Sequence, residues 1–225
     1  MEATTDMVTL KTVRQDDEVK AIIEYANEYL RALGYTNHGP RHAATVAGSA
    51  QAILHQLDYP ERTAELAAIA GYLHDMGNAI HRQDHAQSSS LLALRILARL
   101  GMPITEAVIV ANAIGNHEEE RGYATTPISA ALIIADKSDV HRDRVQTELM
   151  ENFDIHDRVN YATTSSRVVV NPNDRVISLE LDIDTEYAQV IEYFEIFLDR
   201  MNMVKQATEL LGCRFRLVIN GTVFS

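Results

Sequence analysis

Apolar residues recur at helical spacing through the first two thirds of the chain. From about residue 16 to 33, Val19, Ile22, Ile23, Ala26, Tyr29, Leu30 and Leu33 share one stripe, and Gly34 suits a stop. A second helix is predicted from about Pro40 to Leu57, with Val46, Ala50, Ile53, Leu54 and Leu57 inward. Asp58-Tyr59-Pro60 reads as a turn into a third helix, which carries Leu66, Ala67, Ile69, Ala70 and Leu73 before Gly77 breaks it. Asp84 is placed to cap a fourth helix running through Leu100, and Gly101 and Pro103 follow it. Thr105 is placed to cap a fifth, with Val108, Ile109 and Ala113 buried. Thr126-Pro127 opens a sixth, ISAALIIADKSD, whose apolar first half predicts burial on all sides.

The period changes near residue 160. Ser166–Val170 and Arg175–Ile183 flank Asn171-Pro172-Asn173-Asp174 and read as a β-hairpin. In its second strand Ile177, Leu179, Leu181 and Ile183 alternate with Ser178, Glu180 and Asp182, one face dry and one wet. Residues about 185–211 then predict a long helix with Tyr187, Val190, Ile191, Phe194, Phe197, Leu198, Met201, Val204, Ala207 and Leu211 as its stripe. Phe215, Leu217 and Ile219 alternate in a last strand. The expected architecture is mainly α: a helical domain over residues 1–160 and a small ββαβ appendage over 161–225.

Composition narrows the function classes. The 225 residues are 46% hydrophobic and 23% charged, an ordinary globular balance. A formal net charge of -12 argues against a surface for duplex nucleic acid, which needs a clustered basic face. It leaves a small phosphorylated substrate open, because bound cations reverse the local field. The single cysteine, Cys213, rules out an internal disulfide and a multi-thiolate zinc site. Apolar runs fall short of the roughly 20 residues a membrane span needs. The N-terminal MEATTDMVTLK shows no secretory pattern, so a cytoplasmic location without membrane association is expected.

The chemistry concentrates in histidine and aspartate. Of nine histidines, His42 lies near the start of the second helix and His74, with Asp75 beside it, near the end of the third. His85 opens the fourth helix, His117 closes the fifth, and Asp136 lies in the sixth. Unpaired polar groups are costly on such apolar elements. Imidazole with carboxylate suits a divalent first-row ion: iron, manganese, zinc, cobalt or nickel. Glu118-Glu119-Glu120 is expected to be solvated loop charge, with one carboxylate able to serve as a base or to orient a ligand histidine. Ser88, Ser89 and Ser90 read as packing residues, since no Gly-x-Ser-x-Gly elbow surrounds them.

This ordered set resembles the HD superfamily of metal-dependent phosphohydrolases. HGPRHAATVA is similar to its first motif and picks His42 over His38, because valine follows four residues on. AAIAGYLHDMG resembles the defining HD motif, DHAQSSSLLALRIL and ANAIGNHEEERG the two later histidine motifs, and SAALIIADKSDVHRDRV the closing aspartate motif. The resemblance implies an HD-type helical bundle that binds one or two divalent ions through His42, His74, Asp75, His85, His117 and Asp136. His42, His74, Asp75 and Asp136 would hold one ion, and Asp75 would bridge to a second at His85 and His117. His81 competes with His85 and is expected instead on the solvent side of a loop.

Asn116 before His117, Asn78 after the HD pair, and Gly122-Tyr123-Ala124 depart from the cyclic-di-GMP branch. ADKSD followed by Arg142 and Arg144 is nearer the branch that hydrolyses dinucleoside polyphosphates. The implied activity is hydrolysis of a phosphoester or phosphoanhydride of a nucleotide or dinucleotide. Asp75, Lys137 and Arg144 are the expected catalytic residues, and Arg41, Arg82 and Arg142 are further phosphate candidates. A di-iron HD-type oxygenase uses the same ligand order, and a non-catalytic metal- or nucleotide-binding protein also fits. An open sheet edge on the appendage leaves a homodimer open.

Overall fold

The computed structural model describes residues 7–119 and 121–224. Helices α1 (Leu10–Gln15), α2 (Asp17–Ala32), α3 (Pro40–Gln56), α4 (Glu61–Leu73), α5 (His85–Arg99), α6 (Ile104–Gly115) and α7 (Pro127–Lys137) build the first part. A 3-10 turn at Met76–Ala79 joins α4 toward α5. Helix α8 (Ile155–Ala162), which periodicity did not announce, leads into strand β1 (Thr163–Asn171). Strand β2 (Val176–Ile183), helix α9 (Val190–Leu210) and strand β3 (Arg214–Ile219) follow, and the described chain closes on β4 (Thr222–Val223). The chain is mainly α with a C-terminal sheet, and the appendage is ββαββ, one short strand longer than expected. The sheet order is β1-β2-β3-β4. β2 and β3 are parallel because α9 carries the chain back between them, and the outer pairs are antiparallel.

The helices follow their sequence grammar in most places. Thr126 caps α7 with a reciprocal box to Ser129, and the helix is buried from Ile128 to Lys137. Three expectations need correction. Asp84 precedes α5 but adopts φ 57° and makes no cap with its side chain; it pairs instead with Arg121 at 3.2 Å. Pro103, and not Thr105, occupies the N-cap of α6. The buried stripe of α6 is Ala107, Val110, Ala111, Ala113 and Ile114, leaving Val108 and Ile109 exposed. In an element so rich in apolar residues, the dry face cannot be picked from periodicity alone.

The appendage shows the same effect. Helix α9 starts at Val190, later than expected, and buries Tyr193, Phe197, Met201, Met203, Val204, Ala207 and Thr208. Tyr187, Ile191 and Leu198 are exposed, and Ser178 on β2 is buried. Helix α9 packs on α7 as well as on β3. The buried apolar cluster therefore runs without a break from the helices into the sheet. Ser166 Oγ also donates to Ser138 O at 2.5 Å, tying β1 to the end of α7.

Close helix contact sets up the centre. A methyl group at Gly71 would lie 2.9 Å from the backbone of Ala47. Glycine there lets α3 and α4 approach at the level of His42 and His74. Gly77 has the same role against the first turn of α5, with His85 O and Ser89 N as its neighbours. Among the described residues no helix is long and apolar enough to cross a membrane.

Candidate metal centre

The six sequence-selected residues converge at the ends of four helices and inside a fifth element's last turn. His42 stands in the first turn of α3, His74 caps the end of α4, His85 begins α5, His117 follows α6, and Asp136 lies in the last turn of α7. All four histidines are buried, and Asp75 and Asp136 are each 9% exposed. The C-terminal ends of α4, α6 and α7 carry the negative pole of their peptide dipoles, which favours a cation there.

Asp75 divides the cluster into two halves. Its Oδ2 lies 3.6 Å from His42 Nε2 and 3.3 Å from His74 Nε2. Asp136 Oδ1 closes that half at 3.4 Å from His42 Nε2 and 3.5 Å from His74 Nε2. Oδ1 of Asp75 faces the other way, 3.4 Å from His85 Nε2 and 3.9 Å from His117 Nε2. His42, His74 and Asp136 have ligand atoms all within 4.8 Å of one another, as do His74, Asp75 and His117.

The ring orientations show what the centre is suited to hold. Each histidine offers its Nδ1 to a group that can only accept. His74 Nδ1 meets Gly71 O at 2.8 Å, His85 Nδ1 meets Arg82 O at 3.1 Å, and His117 Nδ1 meets Ile114 O at 2.6 Å. His42 Nδ1 meets Asp139 Oδ2 at 2.6 Å. The Nδ1 nitrogens therefore carry hydrogen, and in neutral rings the Nε2 lone pairs point inward. His42 and His74 Nε2 are 3.2 Å apart, and His85 and His117 Nε2 are 3.3 Å apart. Nitrogen lone pairs and carboxylate oxygens at such distances need positive charge between them. The donor set fits divalent cations of the imidazole-and-carboxylate class.

Without a cation, a proton serves the same need. Burial opposes a charge on His74, yet Asp75 and Asp136 outweigh it and raise the imidazole to about 10. Burial, with His74 and His85 adding repulsion, lowers His117 to about 3. Burial would raise Asp75 and Asp136, but neighbouring positive charge prevails and holds both well below the carboxylate range. For Asp75 that charge is His74; for Asp136 it is Lys137 and then His74.

Several residues that the sequence reading passed over complete the centre. Asp139 is buried and takes His42 Nδ1–H, with Arg41 Nη1 at 3.1 Å and Arg144 Nη1 at 3.8 Å. Burial alone would raise its carboxyl, but the His42 hydrogen bond and these arginines hold it far below its usual range. Asn78 Nδ2 donates to Asp75 Oδ1 at 3.0 Å and steadies the shared carboxylate. Arg41 is thus committed to Asp139, and Arg142 lies over the Tyr161 ring, 5.3 Å from its centroid. Neither is placed like a phosphate ligand. His81 is exposed, and its Nδ1 accepts from Gln83 N at 3.0 Å. Ser89 Oγ accepts from Gly77 N and Ser90 Oγ donates to Ala111 O, so both are spent on packing contacts.

A basic rim surrounds the opening. Lys137 Nζ bridges Asp136 Oδ2 at 2.9 Å and Glu119 Oε1 at 3.0 Å. Arg200 Nε, from α9, reaches the same Glu119 oxygen at 2.9 Å. Burial would raise Glu119, but Lys137 and Arg200 lower it to about 2. Glu120 lies outside the described residues. Arg144 is buried, donating from Nε to Asn37 O at 3.1 Å and from Nη1 to Asp139 O at 2.9 Å. His38, Arg82, Arg144 and Arg200 line the same mouth as the ligand histidines, where about 20 Å³ of space remains. Arg200 left no signal in the sequence beyond a charged position on an amphipathic helix.

The HD domain family matches residues 41–142, a segment that contains all six residues of the centre. An uncharacterized protein of Methanocaldococcus jannaschii is 27% identical over 179 residues, covering 68% of this chain and 67% of that protein. A crystal structure described as a predicted HD superfamily hydrolase from an uncultured Thermotogales bacterium shares 24% identity. It covers 55% of this chain and 67% of its own, with a TM-score of 0.44. The matched segment, residues 41–142, is just under half of the chain. Arg144 and Arg200 lie beyond that segment.

Proposed function

We propose that the protein is a metal-dependent phosphohydrolase, cleaving a phosphoester or phosphoanhydride of a small phosphorylated substrate at two divalent first-row ions. One observation carries this reading: the two oxygens of Asp75 face separate histidine pairs. His42, His74 and Asp136 would hold one ion with Oδ2, and His85 and His117 the other with Oδ1. When bound, such ions lower the pKa of a coordinated water and neutralise charge on phosphoryl oxygens.

The chain's own residues supply the rest. The space of about 20 Å³ beside Asp75, His85, His117 and Asp136 is of the size of one water. Lys137, held against Asp136, and Arg144 at the mouth place positive charge where phosphoryl oxygens would sit. Asn78 and Asp139 fix the shared carboxylate and the His42 ring. In the reaction the water oxygen joins phosphorus. The bridging oxygen leaves with its bond pair and takes up a proton.

Metal analysis of the purified protein, paired with phosphate release from nucleotides, dinucleoside polyphosphates and small phosphoesters, tests the proposal. About two ions per chain with phosphate release is expected. Metal-loaded protein that releases no phosphate and instead consumes oxygen with a polyol or phosphonate would overturn it.

A further inference from the structure

Next to the metal mouth lies a cavity of about 370 Å³, within the size range of small-molecule sites. It opens onto the centre, because His38, Arg82, Arg144 and Arg200 line both the cavity and the mouth. Apart from Arg82 and Arg144, its walls come from three places: the end of α2 and the loop before α3, the start of α8, and α9. Only the first borders the segment matched by the HD domain. The other two lie beyond it.

The lining is graded. At the mouth stand three arginines, with Arg82 5.4 Å from the Tyr35 ring centroid and Arg200 4.6 Å from that of Phe197. Leu33, Tyr35 and Phe197 then give apolar walls, and Tyr35 and Leu33 are exposed into open space. Asp154 and His156 line the cavity but not the metal mouth. A ligand matching this order carries an anion at one end, a ring-sized apolar middle, and a hydrogen-bond donor toward Asp154.

The neighbouring opening, which shares Tyr35 and Arg82 with the cavity, differs. There Asp84, Glu118 and Glu119 join them, and its Arg121 is paired with Asp84. A second charged arm of a long polyphosphate would have to run past those carboxylates.

We infer that this cavity seats the organic group of a compact phosphomonoester, with Arg200 of α9 binding its phosphoryl end. The inference rests on the phosphohydrolase reading and narrows its substrate class to one phosphoryl group joined to one ring-sized group. The bond broken is the single P–O ester bond, and the alcohol is released into the cavity.

Calorimetric titration of manganese-loaded protein with phenylphosphonate and methylphosphonate isolates the ring, because the two share a head group and neither is hydrolysed. Burying the ring predicts at least about tenfold tighter binding of phenylphosphonate. In Tyr35→Ala and in the volume-conserving Phe197→Leu that ratio is expected to fall toward one. Arg200→Gln is expected to weaken both probes about tenfold through loss of a charge-assisted contact. A ratio near one in the unaltered protein, or one untouched by both wall variants, overturns the inference. So does a kcat/KM for a dinucleoside tetraphosphate above that for phenyl phosphate. If no phosphoester is turned over, the hydrolase reading fails by itself, and the phosphonate ratio still decides whether the cavity binds as stated.

Discussion

The centre and its mouth are a few ångströms apart and are built on opposite principles. In the centre every imidazole is locked from behind by its Nδ1, and Nε2 is the atom turned inward. In the mouth the charges are long side chains from different elements, neutralising one another around Glu119. Those cations lie 2.9 and 3.0 Å from Glu119 Oε1, yet that oxygen has no aligned hydrogen bond. The lesson is a division of labour. Rigidity is placed where ions must be held, and exchangeable charge pairs are placed where a substrate must enter and leave.

Breaking the centre should have the largest effect. Asp75→Ala removes the carboxylate both halves share, so both ions should be lost on metal analysis. Turnover should fall about 10³-fold or more, as expected when several kcal/mol of charge stabilisation disappear. Circular dichroism should show the helices retained; an unchanged rate would remove Asp75 from the mechanism. Asp139→Asn should act more selectively. Of the four rings it loosens only His42, along with the Arg41 and Arg144 pairs, and one class of metal site should weaken about 10–100-fold in a calorimetric titration while the other stays.

Altering the mouth should do less. Glu119→Gln frees Lys137 and Arg200, so inorganic phosphate should inhibit several-fold more strongly with metal content unchanged. Weaker inhibition would mean that Glu119 positions those cations and does not merely occupy them.

The smallest effect concerns protons. In metal-free protein His74 is raised to about 10, so at pH 8 its ring is charged, and an incoming ion must displace that proton. About one proton per chain should be released at pH 8, read from binding heats in buffers of different ionisation enthalpy. The linked stability has a definite sign. The His74 contribution is fully present below its unfolded value near 6.5 and is lost as pH rises through about 10. His117, lowered to about 3, works the other way: its contribution is present above about 6.5 and is lost as pH falls toward 3.

The sequence made the centre legible because its ligands sit at or near helix ends, some marked by punctuation, such as Pro40 before His42 and Gly77 after His74-Asp75. Polar groups on apolar elements stand out at such places. The mouth was legible only where it adjoined a motif, as at Lys137 and Arg144. Arg200 and Phe197 come from a helix whose stripe looked like ordinary core, and only the packing of α9 on α7 brings them to the site. Asp139 was hidden for another reason. Two aspartates lie three apart in ADKSD, Asp136 inside α7 and Asp139 just past its end, and spacing does not say which one takes a ligand's ring and which one would touch the ion.

Three of the four ring locks are main-chain carbonyls: Gly71 O, Arg82 O and Ile114 O. No codon change can delete a carbonyl, so those rings keep their aim through almost any drift in neighbouring side chains. His42 alone depends on a carboxylate that mutation can reach. Among the ring locks, heritable variation therefore has one point of entry, on the side of the centre where His42 meets Asp139.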